Sequence, residues 1–177
     1  MLTLLLGGAR SGKSHLAVQA GLRGVHPVTF IATAQAFDDD LNDRIARHRA
    51  ERPPWPTIEA PMDVAGALAQ VPAPAFVIVD CITVWVGNLF HHEPDAEARQ
   101  HRYQHLLDVL SVRRHDVDVV VVSNEVGLGV HPDTDLGRQY RDELGRVNQA
   151  LAAVADRTLF LVAGRALPLA DPWEVWS

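Results

Sequence analysis

Leu2-Thr3-Leu4-Leu5-Leu6-Gly7-Gly8-Ala9-Arg10-Ser11-Gly12-Lys13-Ser14 joins an apolar run to a glycine-rich turn, and a helical pattern follows over 13 to 23. Within it, Gly7 to Ser14 matches G-x-x-x-x-G-K-[ST] in the strand-then-helix setting that motif requires. Glycines let the backbone wrap closely round a phosphate, and the free amides at a helix start point at an anion. Lys13 is placed to neutralise β and γ oxygens, and the Ser14 hydroxyl to ligate Mg²⁺. The first expectation is therefore a nucleoside triphosphate site where a strand meets a helix.

Beyond this stretch, short apolar runs alternate with longer helical patterns, the signature of βα units in an α/β, mostly parallel sheet flanked by helices. The runs predict strands over 2–6, 27–32, 76–80, 117–123 and 158–163, and helices over 13–23, 38–50, 62–71, 96–114 and 135–156. Val77-Ile-Val-Asp80 and Val119-Val-Val-Val-Ser123 read as central strands covered on both faces. A length of 177 residues suits a single domain, 1–177. Pro53, Pro54 and Pro56 then mark a stiff connection, not a boundary.

Apolar residues are 47% and charged residues 21% of the chain, as in soluble globular proteins. A net charge of −6 gives no global attraction for nucleic acid or anionic lipid, so an anionic ligand must be small and held locally. Cys81 is the one cysteine, which excludes an internal disulfide and a cysteine-based zinc site and fits a reducing cytoplasm. The apolar start is too short to span a membrane and lacks the basic onset of a signal peptide.

Open α/β sheets bind ligands at the carboxyl ends of their strands, which singles out two acids. Asp80 ends an apolar strand, where it would hold Mg²⁺ or simply cap a helix. Glu125, in Ser123-Asn-Glu-Val-Gly127, either orients a hydroxyl or water near a γ-phosphate or accepts bonds from the Gly127 or Gly129 amides. The pattern 38–50 opens with acids and ends with bases, which suits a helix dipole. Leu41, Ile45 and His48 share one stripe of it, and Arg44, Arg47, Arg49 and Arg52 surround His48. Such a histidine is either a core or surface group, or a nucleophile whose neutral imidazole attacks phosphorus beside phosphate-pairing arginines. His101 and His105 stand four apart with no third metal ligand evident, His91 and His92 read as a solvated loop, and Trp173 and Trp176 as packing on the domain or at a subunit contact.

Together these residues resemble the bifunctional adenosylcobinamide kinase and adenosylcobinamide-phosphate guanylyltransferase family of cobalamin biosynthesis. The likeness runs through Gly7 to Ser14, Ile31-Ala-Thr-Ala34, Arg44-Ile-x-x-His48-x-x-x-Arg52-Pro53, Asp80-Cys-Ile-Thr83, Asn88-Leu89, Asn124-Glu-Val-Gly-x-Gly129, Tyr140-Arg-Asp142 and Asn148-Gln149. It implies a P-loop NTPase-like, RecA-like fold. It also implies two reactions, phosphorylation of the aminopropanol hydroxyl of adenosylcobinamide by ATP or GTP, then transfer of GMP from GTP through a guanylylated His48. By matching position, catalysis falls to His48 and Lys13, and GTP contacts to Gly7, Gly8, Ala9, Arg10, Ser11, Gly12, Lys13, Ser14, Ala32, Thr33, Ala34, Arg49, Ala50, Glu51, Arg52, Glu59 and Asp80. Ser14 and Asp80 would hold Mg²⁺, and the assembly implied is a cytoplasmic homotrimer. Arg52-Pro-Pro-Trp55 is one residue shorter than the family's usual spacing, Asp40 stands where Glu is usual and His131 where an aliphatic residue is common. Two alternatives stand beside this reading: a kinase-only enzyme acting on a small alcohol, and a regulatory nucleotide switch.

Overall fold

The computed structural model describes residues 1–35, 52–112 and 115–176. Among these residues the strands are β1 (Leu2–Gly7), β2 (Val28–Ala32), β3 (Thr57–Glu59), β4 (Ala75–Asp80), β5 (Val117–Val122), β6 (Arg157–Val162) and β7 (Arg165–Leu169). Its described helices are α1 (Lys13–Arg23), α2 (Val64–Ala69), α3 (Ile82–His92), α4 (Ala96–Ser111), α5 (Asp135–Val154) and α6 (Pro172–Trp176). One sheet takes them all in the order β3-β2-β4-β5-β1-β6-β7. Every pairing is parallel except β6 with β7.

The expected strands all form within a residue or so of their predicted limits. The helix predicted over 38–50, with His48, Arg49 and Ala50, lies outside the described residues, as does Glu51. The sheet also contains two strands that the sequence did not announce, β3 and β7. A further helix, α3, lies where no element was expected, and His91 and His92 end it instead of occupying a loop. Its valines and threonine cost a few tenths of a kcal/mol each in helix propensity. Against that, Ile82, Trp85, Val86 and Leu89 recur on one face and are at most 1% exposed, and burial of such side chains is worth about 1.5–3 kcal/mol each. Burial wins.

The two faces of the sheet are covered unequally. Leu16, Ala17 and Ala20 of α1 pack with Leu5, Phe30, Ile78, Val122 and Leu161 on one face. The opposite face carries the larger core, where Leu4, Ile31, Val77, Val79 and Val121 meet Val64, Trp85, Leu106, Leu144 and Leu151 from the other helices. Right-handed crossovers explain the split: β1 to β2 runs one way along the sheet and the steps to β4, β5 and β6 run the other. The connections leaving the neighbouring strands β1 and β5 thus go to opposite faces, so the turn after β1 stands where open α/β sheets place ligands. Trp173 and Trp176 are 75% and 83% exposed, so the expectation that they pack on their own domain fails.

Candidate active site

Gly7 ends β1 at φ 147°, and Gly12 caps α1 in a left-handed conformation at φ 103°. No side chain caps α1, so the amides of its first turn face the loop. The loop closes on itself through Lys13, whose Nζ donates to Gly7 O at 2.9 Å, Gly8 O at 2.7 Å and Ser11 Oγ at 3.3 Å. Lys13 is only 5% exposed. Burial pulls its ammonium below the ordinary lysine range, while neighbouring Cys81 and Asp80 pull it back up. Ser14 follows on the first turn of the helix, half-buried.

Three of the expected nucleotide positions stand in one row across neighbouring strands, because Glu59 pairs with Ala32 and Ala32 with Asp80. Thr33 N donates to Asp80 O at 3.2 Å, which starts the Thr33-Ala34 segment beside the end of β4. Arg52 is lower on the sheet. Its guanidinium carbon lies 3.5 Å from the Phe30 ring centroid and its Nη2 donates to Thr57 Oγ1 at 3.1 Å. The structure therefore gathers Lys13 and Asp80 at the turn, and sets Ala32, Glu59 and Arg52 on the β2–β3 side. Glu125 adopts the second of its two expected roles, accepting from Gly127 N, while its own N–H donates to Gly7 O at 3.1 Å. Beside Asp80, the Cys81 thiol is pushed up to about 12, first by burial and then by the Asp80 carboxylate, so it stays protonated and inert at neutral pH. Among the described residues, no three His, Cys, Asp or Glu side chains gather as a metal site, His101 and His105 included.

The family model described as cobinamide kinase / cobinamide phosphate guanyltransferase matches residues 3–169. The chain belongs to that family. It is 42% identical to the bifunctional adenosylcobalamin biosynthesis protein CobP of Pseudomonas aeruginosa over 171 residues, 96% of this chain and 97% of the relative. It is 36% identical to the bifunctional adenosylcobalamin biosynthesis protein CobU of Escherichia coli over 176 residues, 93% of this chain and 97% of that one. Among solved structures, a Pyrococcus horikoshii OT3 protein from a structural project aligns with TM-score 0.57 at 9% identity, covering 94% of this chain and 84% of its own. An ATPase of a bacterial type III secretion system aligns with TM-score 0.57 at 11% identity, covering 91% and 51%. These two likenesses are of fold alone, a mostly parallel sheet flanked by helices.

Several residues of the family pattern form a buried polar lattice under the site, a role not foreseen from sequence. Thr33 Oγ1 donates to Cys81 O at 2.8 Å and accepts from Cys81 N at 2.9 Å, and Asn88 Nδ2 donates to Thr33 O at 2.8 Å. Thr83 Oγ1 accepts from Asn124 N at 2.7 Å, and Tyr140 OH donates to Thr83 O at 2.9 Å. Ser123 Oγ donates to Asn148 Oδ1 at 2.7 Å, while Asn148 Nδ2 donates to Asn124 O at 3.1 Å. The lattice pins the loops after β2, β4 and β5 to α3 and α5. Its signal in the sequence was a polar residue in an apolar stripe: Asn148 sits among Leu144, Val147 and Leu151, all buried. Asn148→Ala removes the acceptor of a buried hydroxyl and the side-chain donor to a carbonyl at once, so it should cost about 2–4 kcal/mol. Urea denaturation would show it as a lowered midpoint with unchanged slope.

Proposed function

We propose that this chain phosphorylates the aminopropanol hydroxyl of adenosylcobinamide and then caps the product with GMP, giving adenosylcobinamide-GDP. The observation that carries the reading is the lysine buried across a helix-starting phosphate loop with Asp80 at its side, in a chain of this family. In the first reaction the substrate hydroxyl oxygen attacks the γ-phosphorus of ATP or GTP, its proton leaves, and the nucleoside diphosphate departs. Loop amides and Lys13 stabilise charge on the phosphoryl oxygens through this step. Mg²⁺ would be held by Ser14 and Asp80. A hydroxyl and a carboxylate suit it, since this ion takes oxygen ligands and usually draws the remainder from phosphates and water. Bound there, it would neutralise charge on the phosphate oxygens.

In the second reaction a neutral imidazole nitrogen of His48 attacks the α-phosphorus of GTP and expels pyrophosphate, forming a P–N bond to GMP. The phosphate of the corrinoid then takes the GMP and frees the imidazole. Arg49, Ala50, Glu51, Arg52, Glu59 and Ala32 to Ala34 are assigned to this GTP. GTP labelled at the α-phosphate should leave an acid-labile, alkali-stable adduct on the protein, absent in His48→Ala; an unlabelled wild-type chain would refute the guanylyl step. The homotrimer belongs to this proposal, and the exposed Trp173, Val175 and Trp176 support a subunit contact there. No described helix is long and apolar enough to cross a membrane, and a reaction that consumes ATP and GTP belongs to the cytoplasm.

A further inference from the structure

A groove of about 270 Å³ runs beside the phosphate loop on the side away from Asp80, and no expected nucleotide contact lies in it beyond Gly12. One wall is α1, where His15, Gln19 and Arg23 follow one another at intervals of four, with Leu16 beside them. The other is the β6–β7 hairpin, through Leu161, Gly164 and Ala166. Val162 pairs with Arg165, so Ala163 and Gly164 form a two-residue turn, both at positive φ. Gly164 N donates to Ser11 O at 3.0 Å, which fixes that turn against the phosphate loop. Leu161 pairs with Ala166, so both face α1 across the groove.

The direction of a bound triphosphate follows from the loop. Its β and γ oxygens go to Lys13 and to the metal-holding side, which is Asp80 on β4. With the γ end on that side, the α-phosphate and nucleoside lie towards β6 and β7, where Gly12 lines both loop and groove; a triphosphate held in the reverse sense sends them towards β2 and β3. Ala32 and Glu59, assigned to GTP, lie in the other direction. β2 is three strand spacings from β1 and β3 is four, or about 14 and 19 Å. One nucleoside cannot occupy both sides.

We propose that the groove between α1 and the β6–β7 hairpin holds the nucleoside of the triphosphate spent in phosphorylation, separate from the β2–β3 side that serves GTP in guanylyl transfer. This rests on the two-reaction reading above. The chemistry fits a purine: Leu16 and Ala166 offer apolar surface to a base, and Gln19 offers an amide. That amide presents a donor and an acceptor and can turn over, so it accepts the hydrogen-bonding edge of either adenine or guanine. The phosphorylation step should therefore tolerate both triphosphates.

The test compares Mg²⁺-ATP with inorganic tripolyphosphate by equilibrium binding to the full chain, since both fill the loop but only one carries a nucleoside. Wild type should bind ATP at least about tenfold more tightly, and Ala166→Trp, an exposed position where the indole fills the groove, should shrink that advantage to about twofold with tripolyphosphate affinity unchanged. Gln19→Ala should lower it by an intermediate factor. The assignment is overturned if wild type shows no advantage, if Ala166→Trp keeps it, or if Ala166→Trp weakens tripolyphosphate equally. Corrinoid phosphorylation and the α-phosphate adduct are assayed in the wild type in parallel. Loss of both with the ATP advantage intact would sink the function proposed above and leave the groove standing; active wild type with an Ala166→Trp variant that keeps its advantage would sink the groove alone.

Discussion

Replacing Lys13 with alanine is expected to lower kcat/KM for corrinoid phosphorylation by about 10²–10³-fold, the usual loss when one donor to a developing anion is removed. The fold should survive the change. Gly7 O also accepts from Glu125 N, and Gly8 O from Ser11 N, so each carbonyl that loses the ammonium keeps a backbone partner. The deficit then reports charge, and thermal melting of the variant close to wild type is the control. Lys13→Arg should rescue little, because a planar fork does not fit between those carbonyls. Adduct formation on His48 separates a two-reaction enzyme from a kinase-only one: His48→Ala should spare phosphorylation and abolish only the GMP step.

The same residue gives a pH dependence with a defined sign. Burial lowers the Lys13 pKa, so the ammonium is lost at lower pH than the usual lysine value of about 10.4. Triphosphate affinity should fall as pH rises through that lowered value. Stability of the unliganded chain moves the other way, because between the two values the unfolded chain holds more protons and folding is favoured by raising the pH. Calorimetry in two buffers of different ionisation enthalpy should detect proton uptake on nucleotide binding in this window, and none in Lys13→Ala.

Gly7→Ala should be the most damaging single methyl addition in the loop. A Cβ at this position would stand 2.3 Å from Leu161 O, a backbone atom of the neighbouring strand β6, and 2.9 Å from Ser11 Oγ. The residue also sits at φ 147°, which side chains avoid. Backbone strain and overpacking together amount to about 3–5 kcal/mol. For a chain of this length that lowers Tm by about 6–20 °C. Gly8→Ala is the internal comparison: nothing lies within 4 Å of its Cβ and its φ is ordinary, so its Tm should stay within a degree or two, roughly 0.5 kcal/mol. Equal melting of the two variants would contradict the contact with β6.

What was legible in the chain divides along physical lines. The phosphate loop was readable because its chemistry needs particular residues in consecutive order, and the central strands because burial on both faces demands unbroken Val, Ile and Leu. β3 is three residues long and too short to print a pattern. β7 is exposed along its whole length and contains Pro168, which argues against a strand unless that strand is at an edge, where a missing N–H costs little. α3 hid because its β-branched residues look like a strand until the stripe from Ile82 to Leu89 is counted by threes and fours. The polar lattice hid for another reason: Thr33, Thr83, Ser123 and Asn148 come from four separate segments, and only the sheet brings them within bonding distance.

Both borders of the sheet are poor templates for a foreign strand. On one side β3 offers three residues, too few for an incoming chain to gain a stable grip. On the other, β7 spends one of its five positions on Pro168, which interrupts the row of amides that a recruited segment would need. The chain thus carries Leu167 and Leu169 in the open without presenting a continuous ladder to its copies, which guards concentrated solutions against fibril growth from either end of the sheet.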